Sequence, residues 1–167
     1  IGTLVHQWIA STLRPEKFTI RKTAPLEALT AWGAWQLWKK LQGEQLRIIR
    51  VEIPNVNTWY EIGCTPDAET VSEILSWKVT SRVRPKHWLQ NNAECRLTLP
   101  VAELGMTPER TPRIVRLDPF LGEWEEPMPR DGRGNSLPRV FRADWWDVII
   151  DLRHIYERLY RHEMETT

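Results

Sequence analysis

The alternation of apolar and polar residues along the chain predicts a mixture of helices and strands. The clearest segment is 25–41, which is apolar on nearly all sides when it is wound at about 3.6 residues per turn. One side then carries Leu26, Leu29, Gly33, Leu37 and Leu41, and the other carries Trp32, Trp35 and Trp38. A helix that is apolar all round is expected to be buried. We therefore predict a central helix covered by a sheet on one face and by another part of the protein on the other.

The same tryptophans permit a second interpretation, in which the edge formed by Trp32, Trp35 and Trp38 stays partly open. Such an edge would stack on bases or dock a protein, and Trp124 is assigned to the same kind of partner contact. The sequence leaves the core interpretation and the docking interpretation open.

Shorter patterns predict the remaining elements. The predicted helices are 2–13, a segment that starts at 65–67, and 145–162. The predicted strands are 17–21, 46–53, 58–64, 77–84, 93–99, 113–117 and 139–142, with 46–53 and 58–64 joined as a hairpin and a bulge at Ile48–Ile49. Residues 118–138 show no period and are predicted to be a long loop that is mobile or ordered by a partner. The fold class is thus α+β: a single domain, 1–167, whose mostly antiparallel sheet is packed by the Trp-rich central helix and the C-terminal helix.

Composition changes this picture in one respect, because the chain is rich in tryptophan and arginine. It has ten Trp against three Phe and three Tyr, and 17 of its 23 basic residues are arginine. Arginine suits bidentate contacts to phosphate and stacking on flat groups. The net charge is only +1, so any contact to nucleic acid would have to be local.

The cysteines and the hydropathy of the chain indicate in which cellular compartment the protein is expected. Cys64 and Cys95 form neither a disulfide framework nor a zinc set, and they are expected to be buried thiols. No run approaches the roughly 20 apolar residues of a membrane-spanning helix, and the N-terminus lacks the pattern of a signal peptide. We therefore predict a cytoplasmic protein with no membrane contact.

The strongest candidate for a binding surface is segment 74–93, which contains no acidic residue. Its candidate nucleic-acid contacts are Lys78, Arg82, Arg84, Lys86, His87 and Trp88. In a strand over 77–84, Lys78, Arg82 and Arg84 would share one solvent face, because alternate side chains point the same way. This row predicts a phosphate track with a stacking platform at its end. The alternative is a solvated edge strand, charged to prevent aggregation.

A second candidate is the loop that holds Arg130 and Arg133 beside Gly132 and Gly134, followed by Arg139 and Arg142. Glycines beside arginines let backbone amides and guanidinium groups meet a phosphate together. Acidic residues in the same loop balance this charge, so we expect a loop that orders on a protein or RNA partner.

Evidence for an enzyme is weaker. Asp147, Asp151 and His154 would share a face of the last helix and are the residues we would test first for a metal or acid–base role. They also form an ordinary wet helix face. No nucleophile elbow, phosphate-binding loop or metal motif is present, and no cofactor, metal or small-molecule substrate is inferred.

Three functional hypotheses follow. The first is a non-catalytic subunit of a larger cytosolic nucleoprotein complex that contacts RNA or single-stranded nucleic acid through the basic strand and other protein subunits through tryptophan surfaces. Accessory subunits of prokaryotic CRISPR-type effectors, which act in antiviral defence, share this profile of size and composition, without residue-level resemblance. The second is a protein-interaction adaptor or inhibitor, and the third is an enzyme of unrecognised family.

Overall fold

The structure is a computed structural model that describes residues 1–14, 23–58, 62–98, 102–107, 109–131, 133–140 and 150–151. The helices are α1 (Gly2–Leu13), α2 (Leu26–Trp38) and α3 (Pro85–Leu97), with a π-helical turn at Lys39–Gly43 and a 3₁₀ turn at Ala102–Leu104. The strands are β1 (Ile48–Val51), β2 (Asn55–Asn57), β3 (Ile62–Cys64), β4 (Ala68–Thr70), β5 (Glu73–Val79), β6 (Thr111–Leu117) and β7 (Trp124–Glu125).

A five-stranded sheet in the order β1-β4-β5-β6-β7 forms the centre of the fold. Strands β5 and β6 pair in parallel and α3 connects them, whereas the other neighbours in this sheet pair antiparallel. Strands β2 and β3 form a separate antiparallel ribbon. The α+β class with a mostly antiparallel sheet is thereby confirmed.

Both faces of β5 are covered by helices. Leu75 and Trp77 belong to the apolar core that α1 and α2 form on one side. On the other side, Ser76 donates a hydrogen bond to Glu94 of α3 at 3.3 Å, and Lys78 donates one to Gln90 of α3 at 3.2 Å. The described elements therefore stack in three layers, with the sheet in the middle.

The tryptophans of α2 lie inside the apolar core. The rings of Trp32 and Trp35 stack with centroids 4.9 Å apart, and Trp38 meets Trp77 of β5 edge-on at 5.0 Å. All three α2 tryptophans are buried, which confirms the core interpretation. The open docking edge predicted for Trp32, Trp35 and Trp38 is wrong in this structure, because buried rings offer a partner no surface. Trp124 of β7 is half-buried and packs against the same core.

The leucine side of α2 differs from the prediction. Leu26 is 75% exposed, Leu37 47% and Leu41 55%. Gly33, on the same side, has no heavy atom within 4 Å of where a Cβ would stand. Leu29, on the same side, is half-buried and packs against the core. The prediction that both sides would be covered is therefore wrong for Leu26 and Leu37.

The predicted hairpin between 46–53 and 58–64 is also wrong. Strand β1 pairs with β4, while β2 and β3 pair with each other. The bulge predicted at Ile48–Ile49 is confirmed, because the register of β1 against β4 shifts between Ile48 and Arg50.

Two segments adopt the opposite secondary structure from the prediction. The helix expected to start at 65–67 is replaced by β4 and β5, because the Asp67 carboxylate accepts the backbone N–H of Trp77 instead of capping a helix. Residues 93–97 of the strand expected at 93–99 are instead the end of α3. Strand 113–117 is confirmed as part of β6.

Several predictions lie wholly or largely outside the described residues. These are strand 17–21, strand 139–142 beyond residue 140, and helix 145–162 apart from residues 150 and 151, together with the candidates Arg142, Asp147 and His154. The described residues of the predicted loop 118–138 include β7 and an isolated bridge between Arg130 and Ser136.

Candidate nucleic-acid interface

The connection from β5 to α3 places the basic segment. Strand β5 ends at Val79, and α3 begins at Pro85, which suits a first helical turn because proline has no N–H to pair there. Between them, the backbone N–H of Arg84 donates to Nδ1 of His87 at 3.2 Å. The prediction of one strand over 77–84 is therefore wrong, and Lys78, Arg82 and Arg84 do not form a row on one strand face.

A groove of about 770 Å³ lies at the carboxyl end of β5, between α1 and the start of α3. We call it the basic groove. Its lining includes Lys78, Arg84, Lys86 and His87 from the predicted set, and His6 from α1. Four of the predicted contacts therefore lie in one groove, because the chain bends after β5 and then begins α3.

Few carboxylates balance the positive charge of the basic groove. Glu52 also lines the groove, but it is 3.3 Å from the guanidinium of Arg14. The side chains of Arg84 and Lys86 are exposed and make no ion pair with any residue in the described part of the chain. Lys78 donates a hydrogen bond to the neutral amide of Gln90.

The pKa of His87 reflects this charge. Burial lowers the pKa of His87 below its usual value, and the charges of Lys78, Lys86 and Arg84 lower it further. His87 therefore stays neutral at physiological pH. Because its Nδ1 accepts a backbone N–H, its Nε2 carries the hydrogen and is a donor.

His6 is a site residue that sequence reasoning missed. Its Nδ1 is 3.1 Å from Oδ1 of Asp67, a residue 61 positions away in the chain. Burial lowers the pKa of His6, but the hydrogen bond and charge of Asp67 outweigh burial, so the pKa lies above its usual value. No local pattern signals this pair, because the strand arrangement alone brings Asp67 to α1.

A second concavity of about 930 Å³, which we call the arginine–proline cleft, joins the two basic segments predicted from the sequence. Arg82 and Arg84 line it from one side and Arg130 from the other, with apolar walls that include Pro127, Met128, Pro129, Leu137 and Pro138. Arg84 borders both the cleft and the basic groove.

The carboxylates at this cleft are engaged within the chain. Glu125 is 2.7 Å from Nε of Arg116, whose guanidinium also contacts Asp118. Asp131 accepts hydrogen bonds from Asn135 and from the backbone of Arg133, and these bonds lower the pKa of Asp131. The arginines at the rim therefore dominate the charge offered to a ligand.

The remaining predicted contacts contribute less to these concavities. Trp88 lines the arginine–proline cleft but is only 4% exposed, so the predicted stacking platform is wrong for this residue. Arg133 is exposed but lies outside the lining of the cleft, and Arg139 contacts Met128. Asp151 is described as an exposed helical residue.

The two cysteines are not activated. Burial raises the pKa of the Cys64 thiol and of the Cys95 thiol, so neither is a ready nucleophile. Across the described ranges, no three His, Cys, Asp or Glu side chains are grouped to hold a metal ion. None of the helices in the described part of the chain has the length and apolar character needed to cross a membrane.

Comparison with known proteins adds no further constraint. No protein-family model matches the chain, and none of the curated proteins matches it significantly. A functional conclusion therefore has to be drawn from the residues of the site.

Proposed function

We propose that this protein is a nucleic-acid-contacting subunit of a larger cytoplasmic assembly and that it binds phosphate groups in the basic groove. The observation that carries the proposal is the convergence of Lys78, Arg84 and Lys86 on one groove without a carboxylate partner among the described residues. A CRISPR-type effector as the assembly stays a prediction from size and composition.

The position of the groove supports anion binding on independent grounds. It lies at the start of the 13-residue helix α3, where the helix dipole favours negative charge. The neutral His87 offers an Nε2–H donor at the same place. Charge, donors and dipole all favour a phosphate oxygen.

The expected mode of binding is contact with the backbone of the nucleic acid. The buried ring of Trp88 leaves the groove without the stacking platform that the sequence suggested. Phosphate contacts position a strand but carry no base information. We therefore expect weak dependence on base sequence and strong dependence on salt.

The test is the salt dependence of binding of the full chain to labelled single-stranded RNA and DNA, measured by fluorescence anisotropy. Each phosphate contact contributes about 0.7 to the slope of log affinity against log salt for single strands, so Arg84→Ala with Lys86→Ala should lower the slope by roughly 1.4.

The charge-matched control is Lys40→Ala with Arg47→Ala, which removes two exposed cations that do not line the groove. The control should leave the slope near that of the native protein. Equal losses in both double variants, or salt-independent binding, would contradict the proposal.

A second candidate function, docking of a protein subunit without nucleic-acid contact, is supported by exposed leucines on α2 and on the π-helical turn that follows it. Leu26, Leu37 and Leu41 present apolar surface that the described fold leaves uncovered. The test is a pull-down from nuclease-treated native extract. If this function is correct, the variant Leu37→Ser plus Leu41→Ser should lose the bound protein, and Arg84→Ala should retain it.

A further inference from the structure

A carboxylate–imidazole pair opens into the basic groove. Asp67 is fixed by the sheet, because its Oδ2 accepts the backbone N–H of Trp77 at 2.7 Å. Its Oδ1 lies 3.1 Å from Nδ1 of His6, whose side chain is 25% exposed and lines the groove. A carboxylate only accepts, so in the neutral ring Nδ1 of His6 carries the hydrogen and Nε2 keeps its lone pair. A hydrogen bond to the backbone of Trp77 acts with Asp67 to raise the pKa of His6. This arrangement orients an imidazole as a proton acceptor.

The charged groups around His6 come from two elements. Asp67, which precedes β4, contributes the negative charge, and Lys78 of β5 contributes a positive one. Lys78 lines the groove together with His6 and His87, and its charge lowers the pKa of both imidazoles. The groove therefore holds a positioned base together with cations that would stabilise negative charge on a phosphate.

We propose that the basic groove also cleaves RNA, with His6 as the general base that activates the ribose 2′-hydroxyl next to a bound phosphate. This inference rests on the proposed function, because the groove must first bind the strand. The nucleophile comes from the substrate, so the groove needs to supply only a base, an acid and charge stabilisation.

The step balances without a co-reactant. Nε2 of His6 takes the proton of the 2′-hydroxyl, the 2′-oxygen bonds to the adjacent phosphorus, and the bond from phosphorus to the 5′-oxygen breaks. The leaving 5′-oxygen takes a proton from the ammonium group of Lys78, which regains one from protonated His6 through solvent. The products are a 2′,3′-cyclic phosphate and a 5′-hydroxyl end. Arg84, Lys86 and the Nε2–H of His87 stabilise the charge on the phosphate oxygens.

The pH dependence follows from His6, which must be neutral to act as a base. Asp67 raises the pKa of His6 above its usual value of 6.5, although burial and Lys78 oppose that shift. The cleavage rate should therefore rise with pH along a limb that lies above pH 6.5.

The test uses the full chain with labelled single-stranded RNA, DNA of the same sequence and 2′-O-methyl RNA, with a chelator present throughout. Products are separated by gel and the cyclic phosphate is identified by mass. Only unmodified RNA should be cut, because the other two strands lack the nucleophile. His6→Asn should slow cleavage by about 100-fold or more. This variant should still bind 2′-O-methyl RNA, because Lys78, Arg84 and Lys86 of the groove are unchanged.

Arg47→Ala, purified in the same way, controls for contaminating ribonuclease and should cleave like the native protein. If native protein binds 2′-O-methyl RNA but leaves RNA intact, or if His6→Asn cleaves at the native rate, the inference fails while the proposed function stands. If no strand binds, the proposed function fails and this inference fails with it.

Asp67 is a positioning residue in this scheme, and Asp67→Asn tests that role. Asparagine keeps an oxygen that can accept the Trp77 N–H but removes the charge that raises the pKa of His6. The rising limb of the pH–rate profile should therefore move to lower pH. A purely structural role would lower the rate at every pH and leave the limb where it was.

Discussion

Glu69 is a buried carboxylate that two arginines share. It is 1% exposed, and Oε2 lies 2.6 Å from both Arg50 and Arg110. Arg110, whose side chain is fully buried, also donates to the backbone carbonyl of Thr98. This cluster ties β1 and β4 to the chain just before β6. The sequence did not predict it, because the three charges are far apart in the chain.

We expect Arg110→Met to cost about 3–5 kcal/mol of unfolding free energy, because it leaves Glu69 short of a partner in a buried site. The measurement is urea unfolding at neutral pH. Arg14→Ala is the control: the Arg14–Glu52 pair is about one third exposed and should be worth no more than about 1 kcal/mol. Equal losses in the two variants would contradict this account.

Glu94 is a second buried carboxyl group, held between α3 and β5. Its oxygens accept hydrogen bonds from Gln90, Asn91 and Ser76. Burial raises the pKa of Glu94 above its usual value, and the nearby charge of Asp67 raises it further. Ionisation of Glu94 is therefore less favourable in the folded protein than in the unfolded chain.

The stability that Glu94 contributes should be present below pH 4.5 and lost as the pH rises through its raised pKa in the fold. Glu94→Gln stays neutral, so the stability of this variant relative to the native protein should increase from pH 4 to pH 8. Urea unfolding across that range measures the difference. Parallel pH profiles would show that Glu94 ionises as easily in the fold as in the unfolded chain.

At the scale of the element, helix α2 contains a glycine that no neighbouring atom requires to be small. Gly33 is exposed in the helix interior and has no heavy atom within 4 Å of a built Cβ. We expect Gly33→Ala to stabilise the protein by about 0.5–1 kcal/mol, because alanine loses less backbone freedom in a helix. The midpoint of urea unfolding measures the gain.

Gly43 provides the contrasting variant for this prediction. A Cβ at Gly43 would stand 2.9 Å from the ring of Trp38, so Gly43→Ala should destabilise the protein. A gain in stability at Gly43, or a loss at Gly33, would show that the packing around α2 differs from that described.

The elements that could be predicted are those with a clear local pattern. The spacing of apolar residues predicts helices α1 and α2, and a short apolar run predicts strand β6. Strand β5 has no such pattern, because helices cover both its faces and Ile74–Trp77 are all buried. Helix α3 has no clear apolar stripe in the sequence, because its buried face carries the polar residues Asn91, Asn92 and Glu94. Its proline start at Pro85 was the available signal.

The site was predictable in composition but not in arrangement. The acid-free stretch 74–93 identified the cations that line the basic groove. The pairing of His6 with Asp67 was not predictable, because it depends on how β4 and β5 sit against α1. The meeting of Arg82 and Arg130 at one cleft likewise depends on the tertiary fold.

At the scale of the whole molecule, the parallel pair β5–β6 links distant parts of the chain. The N-terminal helices rest on both strands, since the core that contains Val5 and Trp35 also contains Trp77, Val115 and Leu117. A chain that ends at residue 98 lacks β6 and should not fold. We expect it to unfold without a cooperative transition and its tryptophan emission to resemble that of the denatured full chain. A cooperative transition in this fragment would contradict the prediction.

The same pairing has a consequence during synthesis. The tryptophans of α2 are translated early, but the strand that completes the surface beneath them follows α3. On the ribosome, a nascent chain must therefore keep a very apolar segment in solution until residue 117 has left the exit tunnel. Slow translation between β5 and β6 would prolong that interval, and chaperone capture should be greatest there.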